Sequence, residues 1–590
     1  MNKALSTLLL AALPCSLLAS ELAPYALEQT RADDPSIPNA NSSSSIDICI
    51  VDSGYDLGHP DLPIATGSDR SQGSGGWTND LSASNGYHGT AVAGVMAALH
   101  NTQGSRGVNN GAANINLHMI KAQYAGEINQ GIIDCINRGA DIINVSAGNN
   151  SASSFQSAID LLDETQTLLV ASAGNLWAPN AANDQPFYPA SFDKVLSVAA
   201  TDSDARHAHY SIANNQVDIA APGTAIYTPA PRGRGFTASI RINGTLLPVG
   251  NREIVPANRY TWHPGTGALT KAHFNGSVNA QLVHCSGSIC PASVTNNICL
   301  VERVGNDTAT SISPVGTTYN YRNLITEYKS VDKCDGAAAV IIYSNAARAG
   351  LQAPFLVDEM ENVSDNFYIA QYNFPVVSVS RELGLYLAGK AGQSATVNTA
   401  TGSDYGYASG TSFAAPYVSG IAARIWSLFP NCNAYQIRNA LIRNANDANG
   451  GGWDKQLGAG IIDTKATYDD LAQNGCGADE PPPPPPTVEA PQYPPLVHTE
   501  FSGCQGTTPR FVLSWSTAEA IDGYKVHEKR GSQAWRLYYK GTNGGAMYYG
   551  LNNTTTKIRV VSYNAGGNSP RTTVTLPSVN CGSNPPPPIF

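Results

Sequence analysis

Charge is scarce in this chain: Asp, Glu, Lys and Arg supply only 14% of its 590 residues. The 35 Lys and Arg are outnumbered by 45 Asp and Glu, and a net charge of −10 gives no reason to expect nucleic acid as a partner. Long apolar runs are missing too. After the first twenty residues no stretch reaches the ~20 apolar positions that a membrane span needs. There are no Cys-x-x-Cys pairs and no clustered His, which argues against a zinc site. Gly (55) and Pro (37), by contrast, are plentiful, which suits a loop-rich and partly β protein. A single core rarely grows beyond about 250–300 residues, so the length implies more than one domain.

Residues 1–20, with Lys3, an apolar run and small residues before Glu21, read as a secretory signal peptide, and the chain is expected outside the cell. Cys15 lies inside that segment, preceded by Leu13 and Pro14, a poor match to a lipoprotein cleavage site. Setting it aside leaves ten of the 11 cysteines, an even number, which in an exported chain implies disulfides. Cys285 and Cys290 could close a short loop, and Cys299 with Cys334 would span one subdomain. Cys432 with Cys476 would clasp the end of one region, and Cys504 with Cys581 would bracket the last domain. Cys49 and Cys135 then remain by elimination.

Residues 21–45 read as a short lead-in, with a flexible Asn-Ser-Ser-Ser-Ser at 41–45. Strand-like runs then follow at Ile46–Val51, Leu117–Ala122, Asp141–Ser146, Leu168–Ala173 and Val195–Ala200, alternating with helical patterns at His88–Leu99, Ile128–Arg138 and Ser154–Leu162. This rhythm predicts an α/β fold, a parallel sheet flanked by helices, with functional residues at the carboxyl ends of its strands. It spans 46–231 and resumes over 404–475. Between them, residues 232–403 read as an inserted β-rich unit with strand-like Asn297–Arg303, Ala337–Tyr343 and Phe374–Ser380. Residues 476–494, with six prolines from Pro481 to Pro486, form a stiff spacer. Short strands at Phe511–Trp515, Gly523–Val526, Trp535–Tyr539 and Lys557–Tyr563 predict a β-sandwich over 495–581, followed by a tail at 582–590.

Four residues at strand ends and helix starts carry the chemistry. Asp52 ends the apolar run Ile48–Val51, His88 opens one helix and Ser412 opens another, while Asn175 follows Leu168–Gly174. Each alone is equally a turn or capping residue. Together they supply a nucleophile, a base, an acid to fix the imidazole tautomer, and an amide donor for an oxyanion.

The segments that carry these residues, Ile50-Val-Asp52-Ser-Gly54, His88-Gly-Thr-Ala-Val-Ala-Gly94, Asn144-Val-Ser146, Ala173-Gly-Asn175, Ala220-Ala-Pro-Gly223 and Gly410-Thr-Ser412-Phe-Ala-Ala-Pro416, resemble the subtilisin-like serine proteases, the subtilases, in kind and in order. A lipase of the α/β-hydrolase type would place Ser before Asp and His; here the order is opposite. The resemblance implies a secreted endopeptidase that works through an acyl-enzyme, with Ser412 attacking, His88 relaying the proton, Asp52 holding His88, and Asn175 with the Ser412 N–H receiving the oxyanion. Ser146, Ala147 and Gly148 match the family's substrate-binding strand. Asp61 with Asn101 aligns with a structural calcium site, and the partners expected are protein or peptide substrates of a monomer. Departures are Ala91 in place of a usual His, Phe413 in place of a usual oxidisable Met, and too few residues before Ile46 for the family's inhibitory propeptide. The insertion resembles a protease-associated (PA) domain through Ile298–Arg303, Lys333–Tyr343 and Pro375–Ser380, and the sandwich resembles a fibronectin type III domain, with Trp515 and Tyr563 as core aromatics.

Overall fold

The computed structural model describes residues 21–39, 44–71, 76–80, 88–109, 114–176, 183–247, 254–263, 268–272, 274–286, 290–304, 330–347, 349–351, 355–359, 373–448, 450–477, 491–505, 507–517, 521, 523–533, 535–542, 544–564 and 567–581. The expected signal peptide with Cys15, the six prolines of the spacer and the tail lie outside them. The chain divides into two compact units, residues 1–478 and 479–590.

Seven strands form the central sheet of the first unit: β1 (Ile46–Asp52), β2 (Thr66–Asp69), β3 (Ile115–Lys121), β4 (Ile142–Val145), β5 (Leu168–Ser172), β6 (Leu196–Thr201) and β7 (Ile219–Pro222), in the order β2-β3-β1-β4-β5-β6-β7. Every neighbouring pair is parallel. Side chains along a strand alternate between faces, and β1 shows why this sheet must be covered twice. Ile46, Ile48 and Ile50 enter one core with the helices His88–Ala97 and Thr411–Leu428. Cys49 and Val51 enter the other, beneath the helices Ala125–Asn137 and Gln156–Leu161. The α/β expectation is met.

Residues 41–43 of the Asn-Ser-Ser-Ser-Ser stretch lie outside the described residues, and the lead-in before them is packed. Tyr25, Ala26, Leu27 and Ala32 are buried in the same core as β1, and Leu22 N–H donates to Gly104 O at 2.8 Å. Much of the described part of that segment is therefore packed structure; its one helix, Tyr25–Gln29, is too brief to show a period, and Leu22, Ala32 and Ile37 pack from outside it.

The insertion leaves the sheet along the strand Ile226–Pro229 and returns along Tyr405–Ala408; the two pair antiparallel, Tyr405 opposite Pro229 and Ala408 opposite Ile226. Between them lies an eight-stranded sheet with its own apolar core, built around Ile298, Leu300, Ile341 and Val377. The insertion also sits against the turn after β6: Gly350 N–H donates to Asp204 Oδ2 at 2.6 Å and Leu351 N–H to Ser203 Oγ at 2.5 Å. The second unit is a two-sheet β structure of three and five strands around Phe511, Leu513, Trp515, Val526, Ile558 and Val560. Tyr563, expected in that core, is only partly buried. Five disulfides join the cysteines as paired from the sequence: Cys49–Cys135, Cys285–Cys290, Cys299–Cys334, Cys432–Cys476 and Cys504–Cys581.

Candidate active site

Asp52 is the last residue of β1, at the carboxyl edge of the sheet where side chains from several strands converge. Its Oδ1 lies 2.7 Å from His88 Nδ1 and also accepts the Ser53 N–H at 2.7 Å. Glycine at 89 makes this approach possible. A Cβ there would stand 2.2 Å from Gly54 O and 3.2 Å from Asp52 Oδ1. Asp80, which the sequence gave no reason to single out, completes the support. It accepts from Ser53 Oγ at 2.5 Å and from Thr90 N–H at 2.7 Å, while Ser53 Oγ accepts the Gly89 N–H at 2.9 Å. These bonds satisfy N–H groups that a helix start leaves without intrahelical partners, and they anchor His88 against β1.

Burial opposes a charge on the His88 imidazole. The charge of Asp52, its hydrogen bond and the charge of Asp80 outweigh that, and His88 is held above the ordinary imidazole value. Burial likewise pushes the Asp80 carboxyl upward, against the hydrogen bonds from Ser53 and Thr90.

Ser412 is the second residue of the helix Thr411–Leu428, whose cap, Gly410, has φ 149°, a conformation that a side chain would strain. Its Oγ donates to Ser146 O at 3.0 Å, and Ser146 Oγ donates back to Ser412 O at 2.8 Å. Ser146 is fixed in turn by Asn144 Nδ2 at 3.0 Å, and Asn144 Oδ1 accepts from Ser419 of the same helix at 2.9 Å. The helix start is thus stitched to the end of β4. Asn175 Oδ1 accepts from Thr411 N–H at 2.9 Å and from Thr411 Oγ1 at 3.1 Å. With the oxygen so engaged, the amide hydrogens are what Asn175 offers beside the serine. The Phe413 ring lies 5.4 Å from the His88 ring, so the two helix starts meet face to face.

Ala147 and Gly148 continue from Ser146 and are partly exposed. Gly148 runs so close to Tyr188 O that a Cβ would stand 2.2 Å from it. Asp61 and Asn101 do meet: Asp61 Oδ1 accepts from Asn101 Nδ2 at 3.0 Å and Oδ2 from Ser105 N–H at 3.0 Å. Burial, aided by the charge of Glu21, pushes Asp61 up to about 7. Glu21 itself accepts from Asn101 N–H at 2.6 Å and pairs with Arg106. The buried Asp61 carboxylate is the chemistry a hard cation takes, although Asn101 turns its amide N–H toward Asp61 while its Oδ1 accepts from Gln103 N–H at 3.1 Å, and Glu21 is already paired with Arg106.

A Ser-opened helix, a His–Asp pair and a parallel sheet whose carboxyl edge gathers them define a serine protease of subtilisin-like fold, and the chain belongs to the subtilase family, whose sequence profile matches residues 43–266 and 286–460. Subtilisin DY of Bacillus licheniformis is 32% identical over 235 residues, 39% of this chain and 81% of that protein. Subtilisin E of Bacillus subtilis is 31% identical over 219 residues, 36% of this chain and 55% of that protein. Among solved structures, the psychrophilic subtilisin-like protease Apa1 from the Antarctic psychrotroph Pseudoalteromonas sp. AS-11 superposes with a TM-score of 0.65 at 35% identity, over 78% of this chain and 100% of that one. No helix among the described residues is long and apolar enough to cross a membrane.

Proposed function

We propose that this subtilisin-like endopeptidase is secreted and cleaves extracellular proteins through Ser412, His88 and Asp52. His88 takes the Ser412 proton as Oγ attacks the scissile carbonyl, then passes it to the leaving amine. Asp52, bound to Nδ1, keeps Nε2 as the basic nitrogen and steadies the imidazolium. The Asn175 amide and the Ser412 N–H receive the oxyanion. Ser146–Gly148 offers backbone to an extended peptide, which adds as a further strand. The 2.7 Å Asp52–His88 contact carries this reading, because it fixes the tautomer that a base for Ser412 requires. The apolar leader and the five disulfides support export.

Ser412→Ala is expected to lower kcat on casein by about 10⁶-fold, the order known for the nucleophile of a subtilisin, and to abolish labelling by an organophosphonate while the melting temperature holds. Residual hydrolysis at the wild-type rate would refute the assignment.

Calcium, if bound, would be held by Asp61, the Asn101 amide oxygen and backbone carbonyls of the 101–105 loop, neutralising the buried carboxylate and fastening the N-terminal segment through Glu21. The insertion, PA-like, would stand beside the cleft and influence substrate access, and the fibronectin-like sandwich would act as a spacer or accessory module.

A further inference from the structure

Once Ser412 is read as the nucleophile, the path of one substrate side chain follows. The attacked carbonyl lies at Ser412 Oγ with its oxygen toward Asn175, and the peptide backbone lies along Ser146–Gly148. Both segments flank the nucleophile: Ser412 Oγ donates to Ser146 O at 3.0 Å, and Asn175 Oδ1 accepts the N–H of the adjoining Thr411 at 2.9 Å. The residue that supplies the carbonyl therefore turns its side chain into the gap between Ser146–Gly148 on one side and Ala173–Asn175 on the other.

Each wall of that gap contains a glycine, Gly148 and Gly174, and neither can fill the space with a side chain of its own. Phe187 fills it from a third segment. A Cβ on Gly148 would stand 2.7 Å from Phe187 Cε1, and one on Gly174 would stand 2.8 Å from Cδ1 and 2.7 Å from Cγ of the same ring. Cδ1 and Cε1 are bonded neighbours, so a single edge of the ring reaches from one wall to the other. The ring is held there by its backbone and its packing. Phe187 N–H donates to Ser191 Oγ at 2.9 Å, and Phe187 O accepts the Ser191 N–H at 2.9 Å. The next residue, Tyr188, pairs antiparallel with Asn149, its N–H donating to Asn149 O at 2.7 Å and its carbonyl accepting the Asn149 N–H at 2.9 Å. Ile212 packs against the same face of Gly174, and Phe187, Ile212 and Leu176 form one apolar cluster. Phe187 is 5% exposed and Ile212 1%. Swinging the ring out would leave a void among these residues, which makes it a fixture and not a gate.

We propose that Phe187 determines specificity at the cleaved bond, restricting the residue whose carbonyl is attacked to a small side chain: Gly, Ala or Ser. A longer side chain would meet the ring edge, and a packed interior admits extra carbon atoms only by forcing side chains off their rotamers or shifting backbone. An open slot above an apolar floor would favour Leu or Phe instead. Contact of one ring with both walls closes such a slot at this level. Recognition then rests on main-chain pairing with Ser146–Gly148, and the size limit at one position supplies the selectivity.

The test measures kcat/KM of the full active chain on three p-nitroanilides, succinyl-Ala-Ala-Pro followed by Ala, Leu or Phe. The wild type is expected to favour Ala over Leu and over Phe by about tenfold or more. Phe187→Gly should raise kcat/KM on the Phe substrate by about tenfold or more and leave the Ala substrate within about threefold. Where Phe187→Gly loses its fold by circular dichroism, Phe187→Leu, which keeps an apolar side chain in the cluster, takes its place and should shift the Phe-to-Ala ratio the same way by a smaller factor. A wild type that favours Leu or Phe, or a folded variant with the wild-type ratio, overturns the proposal alone. Lack of cleavage of all three substrates, with no organophosphonate label on Ser412, overturns the reading of Ser412 on which the proposal rests, and the proposal with it.

Discussion

Asp80 influences His88 without touching it, through charge and through the Ser53 and Thr90 bonds that set the helix start. Asp80→Asn keeps the shape and removes the charge, so the imidazolium loses support. The acid limb of kcat/KM is expected to move to lower pH with KM little changed; an unmoved limb in the pH profile would count against the coupling. Asp61 gives a second dependence. A carboxyl held near 7 in the fold and near 3.9 unfolded stabilises the native state while protonated. That contribution is complete below about pH 4 and is lost as pH rises through about 7. Without calcium, the wild-type melting temperature should therefore decline across that window by an amount that Asp61→Asn does not share, and calcium should restore the wild type more than the variant at pH 8. Equal slopes and equal calcium responses in calorimetry would exclude this. Asp52, His88, Asn175 and Ser412 were legible because strand ends and helix starts frame them. Asp80 and Glu21 were not, since each acts through a fold-made contact with residues distant in sequence.

Elements announced themselves in proportion to the apolar surface they bury. β1, β4, β5 and β6 are buried on both faces and read directly as apolar runs. β2, Thr-Gly-Ser-Asp, is a mostly exposed edge strand with no apolar pattern to find. The helix His88–Ala97 is buried almost all round, so its start depends more on close backbone approach than on amphipathic patterning. Gly89→Ala tests that dependence. The added methyl meets the Gly54 carbonyl, and one of the two backbones must give way. A loss of roughly 1–3 kcal/mol in unfolding free energy is expected, with kcat falling at least tenfold and KM changing less. A variant with wild-type kcat would show that His88 is positioned otherwise.

At the scale of the whole molecule, the two units have separate cores, so a chain ending at residue 478 should fold and cleave short peptides within about twofold of the parent kcat/KM. Loss of soluble, active protein on that truncation would show that the sandwich is needed for folding. An insertion over 232–403 was suggested by the sequence because the β-then-α rhythm stops and restarts there. Its attachment was not, because strand pairing between residues far apart leaves no local trace. That attachment has a consequence for descent. Because Ile226–Pro229 and Tyr405–Ala408 run side by side, the ends of everything between them already lie next to one another. A lineage could gain, exchange or shed the intervening segment, as a cartridge in a fixed socket, with a short hairpin as the minimal replacement. Adaptation to new diets could then proceed at one junction, immediately upstream of Ser412, while the hydrolytic machinery is inherited intact.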